Sequence, residues 1–244
     1  MITDLFKGFG YFMRGLGLIG KPGIRMYVLI PLTINVLLFG SAIYFGYSEF
    51  ISIVNDYLPA EDGWFGWIRW LVIPIFFIAA LLIVFFTFGI IANLIGSPFN
   101  SLLAAAVEKH LTGSLPESNS SWKAVLISII PIMLAELKKT AYYLLITIPF
   151  LILFIIPVIN IIAPFLWIWM LAWVMAVQYT DYPISNHNIS FSELRKSLKQ
   201  RRFMTFGFGG SVMLAMSVPI LNFFVMPVAV AGATAMAVEK LKGE

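Results

Sequence analysis

Four glycines and the cations Arg14, Lys21 and Arg25 are concentrated in one segment, Arg-Gly-Leu-Gly-Leu-Ile-Gly-Lys-Pro-Gly-Ile-Arg. Glycines let backbone N–H groups approach a ligand, a helix start adds partial positive charge, and arginine offers a fork of donors to a tetrahedral oxyanion. We interpret residues 14–25 as an anion site at the entrance to a membrane helix. The simpler alternative is a flexible, positively charged segment that fixes orientation against anionic lipid.

The composition indicates an integral membrane protein. Of 244 residues, 60% are hydrophobic and 11% are charged, whereas soluble domains are about 45–50% apolar. The net charge is +4, but the cations lie beside apolar runs, so membrane orientation explains them and we expect no nucleic-acid partner. The absence of cysteine excludes disulfides and thiolate chemistry.

Two uncharged runs predict the transmembrane helices that position the anion site. Met26–Tyr47 has 22 residues without a charge and Trp70–Ile95 has 26, enough for a hydrocarbon core of about 30 Å. A cleaved signal peptide does not fit, because its apolar region would hold about 7 to 15 residues. We assign residues 1–24 to an interfacial helix with a glycine-rich lead-in, 25–50 to the first transmembrane helix and 64–96 to the second.

Charge bias predicts the orientation. The segment from Glu49 to Asp62 is acidic, so it is expected to face away from the cytoplasm. Residues 97–139 are interpreted as amphipathic cytoplasmic helices, and Asp181–Arg202 as a basic cytoplasmic loop. Both termini are therefore expected in the cytoplasm.

Two further uncharged segments predict helical hairpins. Thr140–Thr180 has 41 residues and Phe203–Val238 has 36. Each contains a Pro-x-x-Asn sequence, at Pro157–Asn160 and Pro219–Asn222, and the offset of 62 residues suggests an internal repeat.

The lengths of these hairpins predict that they do not cross the bilayer. A hairpin that crosses twice needs two arms of about 20 residues and a turn, or about 44 residues, and both segments are shorter. A turn at membrane depth must be covered by protein or line a wet cavity, which implies partner chains. The predicted fold is one all-α membrane domain, residues 1–244, with two long transmembrane helices, amphipathic cytoplasmic helices, and two re-entrant (hemi-penetrating) hairpins at 140–181 and 203–239.

The residue types give little support to enzymatic chemistry. There is no Gly-x-x-x-x-Gly-Lys-Ser/Thr phosphate loop, no nucleophilic serine is placed by a motif, and neither His110 nor His187 has acidic neighbours at ligand spacing. We therefore expect no enzyme activity, no metal and no cofactor. Glu108 could relay protons; the simpler alternative is that it pairs with Lys109 or Lys139 at a cytoplasmic rim.

Several motifs together resemble one family. Gly15–Ile19 is followed by Pro22-Gly23-Ile24-Arg25, Ser97–Leu103 contains Pro-Phe-Asn and leads to Val107-Glu108, and the two proline-centred hairpins follow. This arrangement, over almost the whole chain, resembles the CysZ sulfate permeases of bacterial inner membranes.

The resemblance implies sulfate uptake for cysteine biosynthesis, and a homo-oligomer with a channel-like pore in the inner membrane. It implies a sulfate site at Gly23, Ile24 and Arg25, where the family typically reads Gly-Leu-Arg-Arg and this chain has Met26 at the second arginine. Lys21 and Arg14 are candidate supplementary cations, and Asn100 and Glu108 are candidate pore or network residues.

Three alternatives for function stay open at this point. The substrate could be sulfite, which is also a small oxyanion, and transport could be proton-coupled rather than passive. A non-transporting membrane scaffold or assembly factor, in which the glycine-rich segment only sets topology, is the alternative from another class. Sulfate remains a dianion at neutral pH, so a site for it needs fixed donors rather than a titrating base.

Overall fold

The computed structural model describes residues 1–57, 67–114 and 129–241, and over these ranges the secondary structure is helical, without strands. The predicted all-α fold is confirmed for them. The α-helices are α1 (Ile2–Ile19), α2 (Met26–Tyr57), α3 (Trp67–Thr112), α4 (Ile129–Ile155), α5 (Ala163–Ser185), α6 (Phe191–Gln200), α7 (Arg202–Met216) and α8 (Pro219–Met236). A 3₁₀ turn, Ile159–Ile161, precedes α5, and a π-helical turn, Ala237–Leu241, follows α8.

The chain divides into two compact units. The smaller unit, Leu29–Ser97, holds most of α2 and the first part of α3; the larger unit holds Met1–Val28 and Pro98–Glu244. In the smaller unit, α2 carries exposed apolar side chains such as Val36, Leu37 and Ile43, each more than 60% accessible. An apolar helix surface of this kind requires lipid or another chain around it. The single membrane domain remains a prediction.

Small residues bring the helices of the larger unit close together. α1 packs against α7 and α8, and α5 packs against α7. A Cβ atom at Gly207 would lie 2.0 Å from the carbonyl oxygen of Leu5, and one at Gly209 would lie 1.8 Å from that of Ala172. Backbones that approach this closely leave room only for glycine, which is typical of helix packing in membranes. The core around these contacts includes Tyr179, Phe208, Leu194, Leu198 and Met236.

Among the described residues, four helical segments are long and apolar enough to cross a membrane: Met26–Gly46, Leu137–Ile155, Ala163–Ser185 and Leu221–Leu241. They differ in how much the rest of the chain covers them. Leu221–Leu241 is 61% buried, whereas Leu137–Ile155 is 0% buried. The first is a core helix of the larger unit, and the second must find its apolar neighbours in lipid or in another chain.

The two predicted hairpin turns do not have the same structure. In the first, the break between α4 and α5 contains Pro157 and Val158, and Val158 has a φ of 72°. In the second, only Ser217 and Val218 join α7 to α8, and the predicted turn Pro219–Asn222 is the first turn of α8. The prediction was wrong there because proline is favoured at the start of a helix, and the residue before it, Val218, is extended.

The predicted loop at 181–202 was also wrong in part, because it contains α6. Ser190 caps this helix: its hydroxyl accepts a hydrogen bond from the Glu193 amide, and the Glu193 carboxylate accepts one from the Ser190 amide at 2.9 Å. The hydrogen bonds that the Ser190 hydroxyl and the Ser190 amide donate to this carboxylate lower the pKa of Glu193. Such a capping box is visible in sequence as Ser-x-x-Glu.

Other predicted segments are covered only in part. The first of the amphipathic helices expected in residues 97–139 is the continuation of α3, which runs to Thr112. Residues 49–57 of the acidic segment are helical and form the end of α2, whereas positions 58–66 lie outside the described residues. Positions 115–128 of the predicted amphipathic region also lie outside them.

Candidate functional site

The predicted anion site is a short turn that leads into α2. The amides of Ile24 and Arg25 both donate to the carbonyl oxygen of Lys21, each at 3.1 Å, and Gly23 has a φ of 84°. That φ favours glycine, so the turn explains why glycine stands at position 23. Ile24 is 1% exposed and anchors the turn in the larger unit, while the side chains of Lys21 and Arg25 are exposed.

This geometry changes which donors are available. We expected the main-chain amides of Gly23 to Arg25 to bind the anion, but those of Ile24 and Arg25 are already used within the turn. What the turn presents to solvent is the ammonium group of Lys21 and the guanidinium group of Arg25. An anion at this position would therefore depend more on side-chain charge than we expected.

Arg14 and Gly15 have structural partners in the larger unit. The Arg14 guanidinium forms an ion pair with Glu239, and the Tyr11 hydroxyl donates a hydrogen bond of 2.9 Å to the same carboxylate. Burial, together with this hydrogen bond, raises the pKa of Tyr11 to about 12, so Tyr11 stays a donor at neutral pH. A Cβ atom at Gly15 would lie 2.2 Å from the carbonyl oxygen of Val228. Gly15 is therefore a packing residue of α1, a role that the interpretation of residues 14–25 as an anion site did not include.

Asn100 and Glu108, the candidate pore or network residues, are both buried on α3 within the larger unit. The Asn100 amide lies 3.3 Å from the sulfur of Met226, and Oε2 of Glu108 lies 2.9 Å from Nε2 of His187. We had expected Lys109 or Lys139 as the partner of Glu108. The sequence could not indicate His187, because the two residues are 79 positions apart.

A second, largely buried pair joins α4 to α5. Lys139 of α4 forms an ion pair with Asp181 of α5, with side-chain accessibilities of 15% and 6%. The Asn186 amide donates to the carbonyl oxygen of Ser101 at 2.9 Å, which ties the end of α5 to α3. Buried charges are tolerated only when they are paired, so these contacts fix the helices in one arrangement.

The arrangement favours binding over covalent chemistry. Within the described ranges no three or more of His, Asp and Glu come together in a way that could hold a metal ion. The polar groups that are present are paired acids and bases and two exposed cations at a helix entrance. Such groups can attract and hold an anion, and they offer no activated nucleophile.

Helices that are apolar over 19 to 23 residues, together with cations at the entrance of one of them, define the class: a helical integral membrane protein. A family profile described as sulfate transporter CysZ/etoposide-induced protein 2.4 matches residues 11–227. The chain belongs to this family. The family is a transporter family, which confirms the prediction that this protein is not an enzyme.

Individual relatives agree with the family assignment. The chain is 41% identical over 224 residues to the sulfate transporter CysZ of Pseudomonas paraeruginosa, which covers 92% of this chain and 91% of the relative. It is 40% identical over 235 residues to the sulfate transporter CysZ of Pseudomonas fluorescens, and this match covers 96% of this chain and 94% of the relative. The resemblance seen in the sequence motifs is thereby confirmed.

Proposed function

We propose that this protein carries sulfate across the bacterial inner membrane into the cytoplasm, where it supplies sulfate assimilation and cysteine biosynthesis. The observation that carries the proposal is the identity of about 40% with proteins named sulfate transporter CysZ, over more than nine tenths of both chains. Sulfite is the alternative substrate, because it presents similar oxygens to the same cations.

The proposed sulfate site is the turn before α2, formed by Gly23, Ile24 and Arg25. Gly23 permits the turn, buried Ile24 fixes it, and the exposed guanidinium of Arg25 binds two sulfate oxygens as a fork. Lys21 is the supplementary cation in this proposal, since it is exposed on the same turn. Arg14 is the weaker candidate, because its guanidinium is already paired with Glu239.

The proposed architecture is an oligomeric pore of two transmembrane helices and two re-entrant hairpins per protomer, with both termini in the cytoplasm. Helix length supports the shallow insertion of the first arm of the second hairpin: α7 has 15 residues, or about 22 Å at 1.5 Å per residue, whereas Leu221–Leu241 in the second arm is long enough to cross. The uncovered surface of Leu137–Ile155 supports an oligomer. Asn100 and Glu108 are proposed to line or support the pore.

Calorimetric titration of sulfate into the purified protein tests the site. Arg25→Ala is expected to abolish measurable binding or weaken it at least tenfold, because a charge-assisted bidentate contact is lost, and tenfold corresponds to about 1.4 kcal/mol. Lys138→Ala is the matched control, since it also removes one exposed cation but lies on α4 away from the turn. Equal affinity in wild type and Arg25→Ala would contradict the assigned site.

Radiolabelled sulfate flux into proteoliposomes tests the function itself. The scaffold alternative predicts no flux in the wild-type protein, or flux that is unchanged when Arg25→Ala and Gly23→Val are combined. Transport predicts flux that the double variant lowers strongly, because valine is strained at a φ of 84° and the cation is gone. Competition by sulfite or sulfate, measured in the same vesicles, identifies the preferred anion.

A further inference from the structure

The larger unit contains a cavity of about 850 Å³ between α4, α5, α6 and the start of α7. Of its thirteen lining residues, four are cations, eight are apolar or aromatic, and none is acidic. The cations are Arg195, Lys196, Lys199 and Arg202. A cavity with this charge balance favours an anionic occupant.

The cations are available to a ligand. Within the described part of the chain, none of the four forms an ion pair within 4.0 Å. The Arg195 guanidinium lies 4.6 Å from the ring centre of Tyr142 and 5.2 Å from that of Phe191, while its Nε atom is buried without a hydrogen-bond partner. The two rings fix the orientation of the guanidinium group, whose charge has no acidic neighbour among the residues that line the cavity.

The apolar wall extends away from the cations. The Arg195 guanidinium stacks on the ring of Tyr142 in α4, and the indole N–H of Trp173 in α5 donates to the Tyr142 hydroxyl at 3.4 Å. Tyr142 and Trp173 therefore lie at the end of the wall that is next to the cations. Ile146 and Phe150 follow on the same face of α4, and Met170 and Leu166 follow on α5. The eight helical steps from position 142 to position 150 give a wall of about 12 Å. A free inorganic anion would contact the cations and leave this wall empty.

We propose that this cavity binds an anionic phospholipid, with its phosphate between Arg195 and Lys199 and an acyl chain along the wall formed by α4 and α5. The occupant must carry negative charge to match the four cations and a long apolar part to match the wall. An anionic membrane lipid has both, and the protein lies among such lipids. This site is separate from the proposed sulfate turn and goes beyond the proposed function.

Native mass spectrometry of the delipidated full-length protein tests the charge part of the proposal. We expect more bound phosphatidylglycerol than phosphatidylcholine at equal concentration. Arg195→Gln with Lys199→Gln should lower the preference roughly 30-fold, since each cation near the headgroup contributes about 1 kcal/mol. The matched control is Lys109→Gln with Lys138→Gln, which removes two exposed cations outside the cavity and should keep the preference.

A second comparison separates a lipid from a small anion. Phe150→Ser with Met170→Ser should weaken phosphatidylglycerol binding, while inorganic phosphate should neither bind tightly nor displace the lipid. Equal binding of both lipids by the wild type, an unchanged preference in the cation variant, or displacement by millimolar phosphate would overturn the proposal.

Arg195→Lys keeps the charge and should retain most of the preference, so it replaces the double variant if that variant fails to fold, as judged by its elution volume. If folded Arg195→Lys lost as much of the preference as the neutral variant Arg195→Gln, this result would also count against a charge-based site. No sulfate is present in these experiments, so their failure is distinguishable from failure of the transport proposal.

Discussion

Charged side chains in the larger unit form pairs between segments that lie far apart in the sequence. Arg14 meets Glu239, Glu108 meets His187 and Lys139 meets Asp181. The second and third pairs are largely buried, with side-chain accessibilities of 20% or less, so a charge that loses its partner there keeps much of the cost of desolvation. Each pair therefore stabilises the one arrangement of its two chain segments in which the paired side chains meet.

We predict that Asp181→Leu destabilises the protein strongly. The substitution removes the Asp181 carboxylate from the largely buried Lys139 ammonium, which costs about 3 kcal/mol of unfolding free energy. Adding Lys139→Met to Asp181→Leu should restore most of the loss, because an apolar pair of similar size leaves no buried charge. The measurement is unfolding in mixed detergent micelles by titration with sodium dodecyl sulfate.

A control at the surface separates burial from charge alone. Asp4 pairs with Lys7 across one turn of α1, where both are exposed, so Asp4→Asn should change the unfolding midpoint little. Equal losses for Asp4→Asn and Asp181→Leu would show that the burial of the second pair is not what makes it important.

At the scale of elements, α1 packs against the other helices of the larger unit through glycines on one of its faces. Gly8 and Gly15 contact the backbones of α7 and α8, whereas Gly10 and Gly17 have nothing within 4 Å of a Cβ position. The opposite face carries Phe6, Phe9 and Leu16, which are 65%, 47% and 48% exposed. A helix that is packed on one side and apolar on the other fits the predicted location at the membrane interface.

We predict opposite effects of alanine at Gly15 and Gly17. Gly15→Ala places a methyl group 2.2 Å from a backbone oxygen, so the helices must separate, at a cost of about 1–3 kcal/mol. Gly17→Ala meets open space and should stabilise α1 by up to about 1 kcal/mol, because alanine has the higher helix propensity. Thermal unfolding monitored by circular dichroism measures both. A Gly15→Ala protein as stable as Gly17→Ala would contradict the close packing of α1 on α8.

Local sequence patterns predicted the elements well and their partners poorly. The uncharged run from Met26 gave the start of α2, and Arg25 stands directly before it. The hairpin arms followed from the long apolar runs around Pro157 and Pro219. The partner of Glu108 and the role of Gly15 depend on residues 79 and more than 200 positions away, where one sequence holds no information on proximity. The turn at Ser217–Val218 was misplaced because proline can either end a turn or begin a helix.

At the scale of the whole molecule, the membrane potential constrains the proposed transport. Bringing two negative charges inward against about 100 mV costs roughly 4.6 kcal/mol, or more than three decades in concentration. A passive pore therefore imports sulfate only while consumption keeps the cytoplasmic concentration very low. The buried acids in the described part of the chain, Glu108 and Asp181, are paired with His187 and Lys139, so we favour the passive form.

We predict that the potential alone sets the steady-state distribution of sulfate in proteoliposomes. Clamping the interior at about −100 mV with potassium and valinomycin should lower the ratio of internal to external sulfate by more than three decades relative to zero potential. Arg25→Ala should slow the approach to this ratio without changing it, because a binding site alters rates and not the equilibrium. Sulfate accumulation inside negative vesicles that carry a proton gradient would instead demonstrate coupling.

Cysteine labelling can decide how deeply the two hairpins enter the membrane, because the chain has no cysteine of its own. Asn160→Cys and Ser217→Cys mark the two hairpin turns, Asp62→Cys marks the segment expected outside, and His110→Cys marks the cytoplasmic side. An impermeant maleimide should label position 62 only in intact cells and position 110 only in inside-out vesicles.

For re-entrant hairpins, the two turns should resist the impermeant reagent in intact cells and react only with a permeant one. The physical reason is strongest for the first arm of the second hairpin, because α7 is about 22 Å long and falls short of a hydrocarbon core of about 30 Å. If position 217 were labelled in intact cells as fast as position 62, that hairpin would cross the bilayer. α7 and α8 would then be transmembrane helices, the bilayer would be thinned around α7, and the two predicted crossings would become four.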